Sequence, residues 1–282
     1  MTDMSFKGDF NVGFIGLGSQ GGPMARRIVE SGYPLTLWAR RADSLAPFAD
    51  TAATSVSSIA EMGARCEHVG VCVVDDAGTR QVCDELIPAM RSGSRIAIHS
   101  TVNPNTVVEL AKQAAVRGVG LIDAPVSGGG GAAAARTLTV MVGGDEAVFA
   151  AARPVFETFG GLIVRVGGVG AGQMMKLVNN ALMAAHLAIA HHGLAAGSAL
   201  GLDRAALGEI VKVSSGRSFG FEVYARLPNP FAFDHGAKLL AKDVRLLGEV
   251  LGSDPSFAPF RDVAAPFLEF VQQGANKSRA PA

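Results

Sequence analysis

Lys176 and Asn180 stand four residues apart in Gln173 to Leu200, a stretch rich in Ala, Leu, Met and Ile and nearly free of β-branched runs. At that spacing both side chains leave one face of a helix, where an ammonium can donate to a substrate oxygen and an amide can fix its orientation. When hydride reaches a carbonyl carbon, negative charge develops on the oxygen and a proton must arrive; one ammonium meets both needs. Taken alone, the same lysine reads equally well as one snorkelling from an apolar helix.

A second group of residues is suited to phosphate. Gly16-Leu17-Gly18-Ser19-Gln20-Gly21 follows directly on an apolar run, Asn11 to Leu17, and opens the helix-like segment Pro23 to Ser31. Pro34 to Ala39 then reads as another strand, which completes a βαβ unit of about 30 residues. In that context Gly16 permits the tight turn, Gly18 admits a pyrophosphate close to the backbone, and Gly21 lets helix and strand pack closely. Leu17 and Gln20 lie inside the same turn. An NAD site usually carries an acid about 20 residues on, at the end of the second strand. This chain has Trp38-Ala39-Arg40-Arg41 there. Two guanidinium groups suit a 2′-phosphate, so NADP is favoured over NAD. The competing reading makes Arg40 and Arg41 solvated loop residues and Asp43 a helix N-cap, which leaves the choice of dinucleotide open.

Asp123-Ala-Pro-Val-Ser127 runs into four glycines, Gly128 to Gly131. Consecutive free N–H groups and the Ser127 hydroxyl can cradle a carboxylate. A flexible loop before an Ala-rich helix fits the same residues; the place beyond a strand end favours the ligand reading. Gly170-Ala-Gly172 launches the stretch that carries Lys176 and Asn180.

The elements that must hold these groups follow from the pattern around them. Glycine makes up 35 of 282 residues, gathered in clusters between apolar runs rather than spaced as in collagen or a linker. Further strands are predicted at His68 to Val74, Ser94 to His99, Gly120 to Asp123, Thr137 to Val142 and Leu162 to Val166, and the segments between them suit helices, notably Thr79 to Met90 and Thr106 to Arg117. Alternating strands and helices imply an α/β fold, a Rossmann-type doubly wound, mostly parallel sheet. From residue 172 onward the predicted elements are helices: Gln173 to Leu200, Arg204 to Ser214, Ala237 to Leu251 and Phe257 to Gln272. The expected domains are therefore 10–171, binding a dinucleotide, and 172–274, all-helical, with 275–282 a tail. Ser214 to Ser218 is a polar break that is either a loop or part of a substrate cleft.

Several classes of function are disfavoured. There are 25 basic and 25 acidic residues and no basic cluster, so neither nucleic acid nor an anionic membrane is an expected partner. Cys66, Cys72 and Cys83 form no C-x-x-C pair, which fits a reducing, cytoplasmic setting. Met1 to Phe10 lacks the apolar stretch of a secretory signal. His186, His191 and His192 do not have zinc-site spacing, Asp75, Asp76 and Asp123 form no recognisable catalytic carboxylate pair, and Met174 and Met175 read as core fillers. No metal is expected.

Four ordered segments carry a family likeness: GFIGLGSQGGPMA (Gly13 to Ala25), DAPVSGG (Asp123 to Gly129), GAGQMMKLVNN (Gly170 to Asn180) and AKDVRLL (Ala241 to Leu247). Together, over about residues 10 to 272, the chain resembles the β-hydroxyacid dehydrogenases, which include 3-hydroxyisobutyrate dehydrogenase and the tartronate, glyoxylate and succinic semialdehyde reductases. The resemblance implies an NADP-dependent oxidoreductase that interconverts a small β-hydroxy acid and its semialdehyde, with Lys176 as acid/base and Asn180 binding substrate. It also implies that Ser127, Gly128 and Gly129 hold the substrate carboxylate, and that Val74, Asp75, Thr101 and Lys242 contact the dinucleotide. The expected assembly is a homodimer or homotetramer, because the long apolar helix has more apolar faces than one small domain needs. An imine reductase of the same architecture and a non-catalytic dinucleotide-binding protein are the alternatives; the Lys176/Asn180 pair counts against both. The chain departs from the family pattern at Ala132 and Arg136, which replace glycines, at Val73 to Asp76, which replaces a Leu-Pro turn, and at His235, where relatives commonly have Phe.

Overall fold

The structure is a computed structural model that describes residues 10–279. The expectation for the N-terminus rests almost wholly on residues 1–9, and the last three of the expected tail are 280–282; both lie outside the described residues. The chain divides into two compact units between Lys176 and Leu177.

In the first unit the order is β1 (Val12–Ile15), α1 (Gly21–Glu30), β2 (Leu35–Trp38), β3 (Thr54–Ser55), α2 (Ile59–Arg65), β4 (His68–Val71), α3 (Asp76–Ala89), β5 (Arg95–Ile98), α4 (Pro104–Val116), β6 (Gly120–Asp123), β7 (Val126–Ser127), α5 (Gly129–Ala134), β8 (Leu138–Gly143), α6 (Glu146–Phe156) and β9 (Gly160–Gly167). Sheet order is β3-β2-β1-β4-β5-β6-β8-β7, with β9 on the other side of β8. Strands β1 to β6 are parallel; β8 runs antiparallel to β6 and β7, and parallel to β9. The chain moves outward from β1 to β3 and then returns to β4 beside β1. Neighbouring loops therefore leave the sheet in opposite directions there, which opens a crevice at the strand ends.

Two apolar layers cover the two faces. Val12 and Phe14 of β1 pack with Met24, Ile28, Phe156 and Phe159, whereas Ile15 packs with Met62, Val71, Leu86 and Ile98. Adjacent strand residues reach opposite layers, as the two-residue period demands. Helices α2 and α6 fill segments between strands, where helices are expected, though without readable bounds. The first is only seven residues long, and the second follows its N-cap Asp145, whose carboxylate accepts from the N–H groups of Ala147 and Val148.

Helix α7 (Ala171–Ala199) starts in the first unit and continues into the second, which adds α8 (Arg204–Val213), α9 (Phe219–Ala225), α10 (Asp234–Leu251) and α11 (Ala258–Arg279). Its core gathers Leu177, Ala184, Leu187, Tyr224, Leu247, Phe267 and Val271. The expected tail from 275 is helical as far as Arg279, because Ala275 extends the buried Val271 face by one turn. Ser218 caps α9 by accepting from the Phe221 N–H, so the Ser214–Ser218 break ends in a helix start. Among the described residues no helix is long and apolar enough to cross a membrane.

Candidate active site

The glycine turn after β1 has the geometry its sequence implies. Gly16 has φ +96°, and a Cβ there would stand 2.1 Å from the Cys72 carbonyl oxygen; a Cβ on Gly21 would stand 2.0 Å from the Gly16 oxygen. Those two glycines are required by the protein's own packing. Gly18 is not, since a Cβ added there meets no protein atom within 4 Å. The space over Gly18 is open, no side chain caps α1, and its first turn has no acidic residue. An uncapped helix start under an open glycine fits a pyrophosphate. Gln20 takes the N-cap position and Leu17 is half-buried beside it.

The strand ends next to this turn carry the other expected dinucleotide contacts. Val74 is 73% exposed just beyond β4. The Asp75 carboxylate accepts from the Gly78 N–H at 2.8 Å and so caps α3. Asp76 accepts from the Asn103 N–H at 2.9 Å and the Thr106 hydroxyl at 2.6 Å, tying the β4 exit to the start of α4. Thus Asp75 caps one helix and Asp76 anchors the next. Arg40 and Arg41 are exposed beyond β2, with an Arg40 Nη2 donating to Gln81 Oε1 at 3.4 Å. Asp43 is not the expected N-cap. Arg41 holds that position before the 3-10 turn Ala42–Phe48 and Asp43 falls in its first turn, without a side-chain cap bond.

Beyond β6, the Asp123 carboxylate is fully buried and receives the Gly170 N–H at 2.7 Å and the Gln173 N–H at 2.8 Å. It thereby caps the start of α7. Burial raises its carboxyl to about 6, against the pull of those N–H groups. The Gln173 side chain is also fully buried; its Nε2 donates to the Ser100 oxygen at 2.8 Å and its Oε1 accepts from the Val102 N–H at 3.1 Å. Thr101, the expected dinucleotide contact, lies between these two backbone groups. Lys176 follows one turn after Gln173 and is only 8% exposed. Neither Asp123 nor Gln173 was foreseen in this role, although both stand inside quoted motifs.

Ser127 pairs with Thr139 in the short β7–β8 ladder. Gly128 and Gly129 follow with φ +129° and +74°, and both are exposed. The next glycine is constrained by contact: a Cβ on Gly130 would stand 2.3 Å from the Ser19 carbonyl oxygen of the glycine turn after β1, while one on Gly131 meets nothing within 4 Å. Helix α5 ends with the Thr137 N–H on the Ala132 oxygen and the Arg136 N–H on the Ala133 oxygen. That pattern places the C′ residue in the left-handed region, where glycine is usual. Arg136 occupies it with φ +60°.

In the helical unit, Asn180 Nδ2 donates to Asp243 Oδ2 at 2.6 Å, and the other oxygen of Asp243 lies 3.2 Å from Lys242 Nζ. Buried Asp243 therefore joins two expected site residues and was missed, although the segment AKDVRLL contains it. His235 is exposed in the first turn of α10, seven residues and two turns before Lys242. His191 packs among Tyr224, Phe267 and Phe270, with its Nδ1 2.6 Å from the Tyr224 hydroxyl. His186, Arg217, Ser218 and Phe221 line a cavity of about 300 Å³. Met174 and Met175 are not core fillers: both are nearly half exposed, because the buried face of this turn is taken by Gln173, Lys176 and Leu177. Burial pushes the thiols of Cys66 up to about 11 and of Cys72 and Cys83 to about 12, far from nucleophilic.

Comparison with known proteins agrees with this geometry. A family profile described as the NAD binding domain of 6-phosphogluconate dehydrogenase matches residues 11–177, and one described as NAD-binding of NADP-dependent 3-hydroxyisobutyrate dehydrogenase matches residues 170–280. The mitochondrial 3-hydroxyisobutyrate dehydrogenase of Pongo abelii is 35% identical over 247 residues, covering 83% of this chain and 74% of that protein. The NAD-dependent L-serine dehydrogenase of Pseudomonas aeruginosa is 34% identical over 272 residues, covering 90% and 89%. The solved structure of a Mycobacterium tuberculosis 3-hydroxyisobutyrate dehydrogenase with L-serine superposes with a TM-score of 0.81 at 25% identity, over 96% of this chain and 99% of that one. With a glycine turn shaped for a dinucleotide and a buried lysine at the start of α7, the chain belongs to the β-hydroxyacid dehydrogenases, the oxidoreductase family of 3-hydroxyisobutyrate dehydrogenase.

Proposed function

We propose that this enzyme interconverts a small β-hydroxy acid and its semialdehyde with NADP, and that Lys176 moves the proton. The observation that carries the reading is the buried Lys176 itself, set in a helix whose start is capped by the strand-end Asp123. The glycine turn Gly16 to Gly21 would hold the dinucleotide, whose nicotinamide would supply the hydride acceptor for the oxidation and the hydride donor for the reduction. In the oxidation the neutral Lys176 amine takes the hydroxyl proton as the carbonyl forms. In the reduction its ammonium gives that proton back to the oxygen on which charge builds.

Ser127, Gly128 and Gly129 are assigned to the substrate carboxylate, and Asn180 to substrate orientation. Gly16, Leu17, Gly18, Gln20 and Gly21 are assigned to the pyrophosphate, with Val74, Asp75, Thr101 and Lys242 as further dinucleotide contacts. The preference for NADP rests on the missing acid after β2 and the exposed Arg40 and Arg41, and the profile matching the helical half points the same way. The L-serine dehydrogenase relative is NAD-dependent, so the two dinucleotides must be compared directly. Exposed Val178, Leu182 and Ile189 form one stripe along α7, which supports self-association as a homodimer or homotetramer. Unpaired Cys66, Cys72 and Cys83 fit the cytoplasm as its compartment.

The test is absorbance of NADPH and NADH in the presence of a panel of C2 to C5 semialdehydes and hydroxy acids, L-serine and cyclic imines. Turnover of a carboxylate-bearing aldehyde with NADPH supports the reading. Turnover of imines alone, or tight NADPH binding without turnover of any compound, overturns it.

A further inference from the structure

Gln173 makes a contact that the family assignment leaves unexplained. Its amide has two ends, a donor and an acceptor, and the protein uses both on backbone groups that flank a single residue. Nε2 donates to the carbonyl of Ser100 and Oε1 accepts from the N–H of Val102, so Thr101 is bracketed. Gln173, Ser100 and Val102 are all buried, so neither backbone group has water to fall back on. Glutamine is the side chain of this length that offers both functions at every pH.

The bracket joins three segments of the first unit. Ser100 Oγ accepts from the Val73 N–H at 2.8 Å, which links the β4 exit beside Val74 to the same strand end. The backbone N–H of Gln173 is held by Asp123, together with that of Gly170. The first turn of α7 is thus tied to the ends of β5 and β6 through one residue. Lys176 is three positions further along, about 60° around the helix from Gln173 and one turn up. Any tilt or rotation of that turn carries the ammonium with it.

We propose that Gln173 is a positioning residue: its amide locks the Thr101 segment to the first turn of α7 and so sets the distance between the dinucleotide contact and the acid/base Lys176. This rests on the roles given above to Thr101 and Lys176. A misplacement of about 1 Å in a hydride-transfer site costs on the order of a hundredfold in rate, whereas binding of each partner separately is much less sensitive.

Two variants test the role. Gln173→Met keeps length and apolar bulk but removes both bonds. Gln173→Glu keeps both bonds only while protonated, since the ionised carboxylate cannot donate to the Ser100 oxygen. The Met variant should lose about tenfold to a hundredfold in kcat, with NADPH affinity, read by fluorescence titration, nearly unchanged. The Glu variant should lose as much at pH 8 and regain activity relative to the parent enzyme as pH falls towards 6, a trend that a general loss of stability does not produce. If the Glu variant fails to fold, the Met variant decides. Parental kcat in the Met variant, or a Glu variant that parallels the parent at every pH, overturns the proposal. Lys176→Ala run alongside separates the two levels: loss of kcat there with parental kcat at Gln173→Met defeats the positioning role alone. Full kcat in Lys176→Ala defeats the acid/base reading beneath it.

Discussion

Gly130 of the expected substrate loop lies against Ser19 of the glycine turn after β1, so closely that a Cβ on Gly130 would stand 2.3 Å from the Ser19 carbonyl oxygen. The two glycine clusters therefore share a boundary. Gly130→Ala must push the Ser19 backbone or the start of α5, and should cost about 1–3 kcal/mol in stability. It should also weaken NADPH binding and raise the substrate KM together. Gly131→Ala is the matched control, since nothing stands within 4 Å of its Cβ. Equal behaviour of the two variants in thermal melts and dinucleotide titration would contradict the contact.

Lys176→Ala should reduce kcat by about 10²- to 10⁴-fold, the usual range for removal of a general acid/base. NADPH affinity should stay nearly intact, because the turn proposed to hold the pyrophosphate joins β1 to α1, whereas Lys176 lies on α7. Steady-state kinetics with a fluorescence titration separates the two effects, and an equal loss of both counts against the assigned role.

Arg40 and Arg41 are exposed beyond β2 with a single long hydrogen bond from Arg40 to Gln81, so their charges are available to an anion. The double variant Arg40→Ala/Arg41→Ala should weaken NADPH binding by about tenfold to a hundredfold, as expected for charge-assisted bonds worth about 1.5–3 kcal/mol. NADH binding should hardly change. Titration of both dinucleotides on both proteins checks this, and a parallel loss of the two would remove Arg40 and Arg41 from the 2′-phosphate.

Arg136 ends α5 with φ +60° where the capping pattern favours glycine. A non-glycine residue there costs about 1–2 kcal/mol. Arg136→Gly removes that strain but gives back about 0.5–1 kcal/mol in unfolded-chain entropy. The melting temperature should rise by about 1–3 °C. A fall would mean that the arginine side chain contributes more than its backbone costs.

Buried ionisable groups set opposing pH trends. Burial lowers His99 to about 4 and takes His68 well below its usual range. The unfolded chain therefore binds their protons first, and stability falls as pH drops from about 6.5 towards 4, by ~3 kcal/mol for His99. Asp123, raised to about 6, acts in the other direction. Its protonated form is favoured in the fold, so its contribution is fully present below the unfolded carboxyl range near 4 and is lost as pH rises through about 6. Asp123→Asn removes that offset, and its denaturation midpoint should drop more steeply than the parent's between pH 6.5 and 4. Parallel curves would show that Asp123 is not titrating in this window.

Much of the first unit was legible from short-range signals. Gly16, Gly18 and Gly21 announced their turn because the helix that follows and the strand before are encoded within the same few residues. Seven strands and the long helix followed from runs of apolar residues, with ends within a few residues of those observed. Less visible were α2, too short for periodicity, and α9, hidden behind a polar break that proved to hold its Ser218 cap. Asp43 looked like a cap and is not, because the turn after β2 starts two residues earlier, at Arg41.

By itself, the sequence determined where residue types suited to a dinucleotide, a carboxylate and proton transfer stand, and that Lys176 and Asn180 share a helix face. These are local properties, written in spacings of two to seven residues. What only the tertiary structure decided is how those groups are held. Asp123 meets Gly170 and Gln173 across about fifty positions of chain, and Gln173 meets Ser100 and Val102 across more than seventy. A buried carboxylate accepts from whichever N–H the fold brings within reach, and a buried amide can also donate to a C=O. No spacing rule can name that partner, because it is set by the order of β5 and β6 in the sheet and not by distance along the chain.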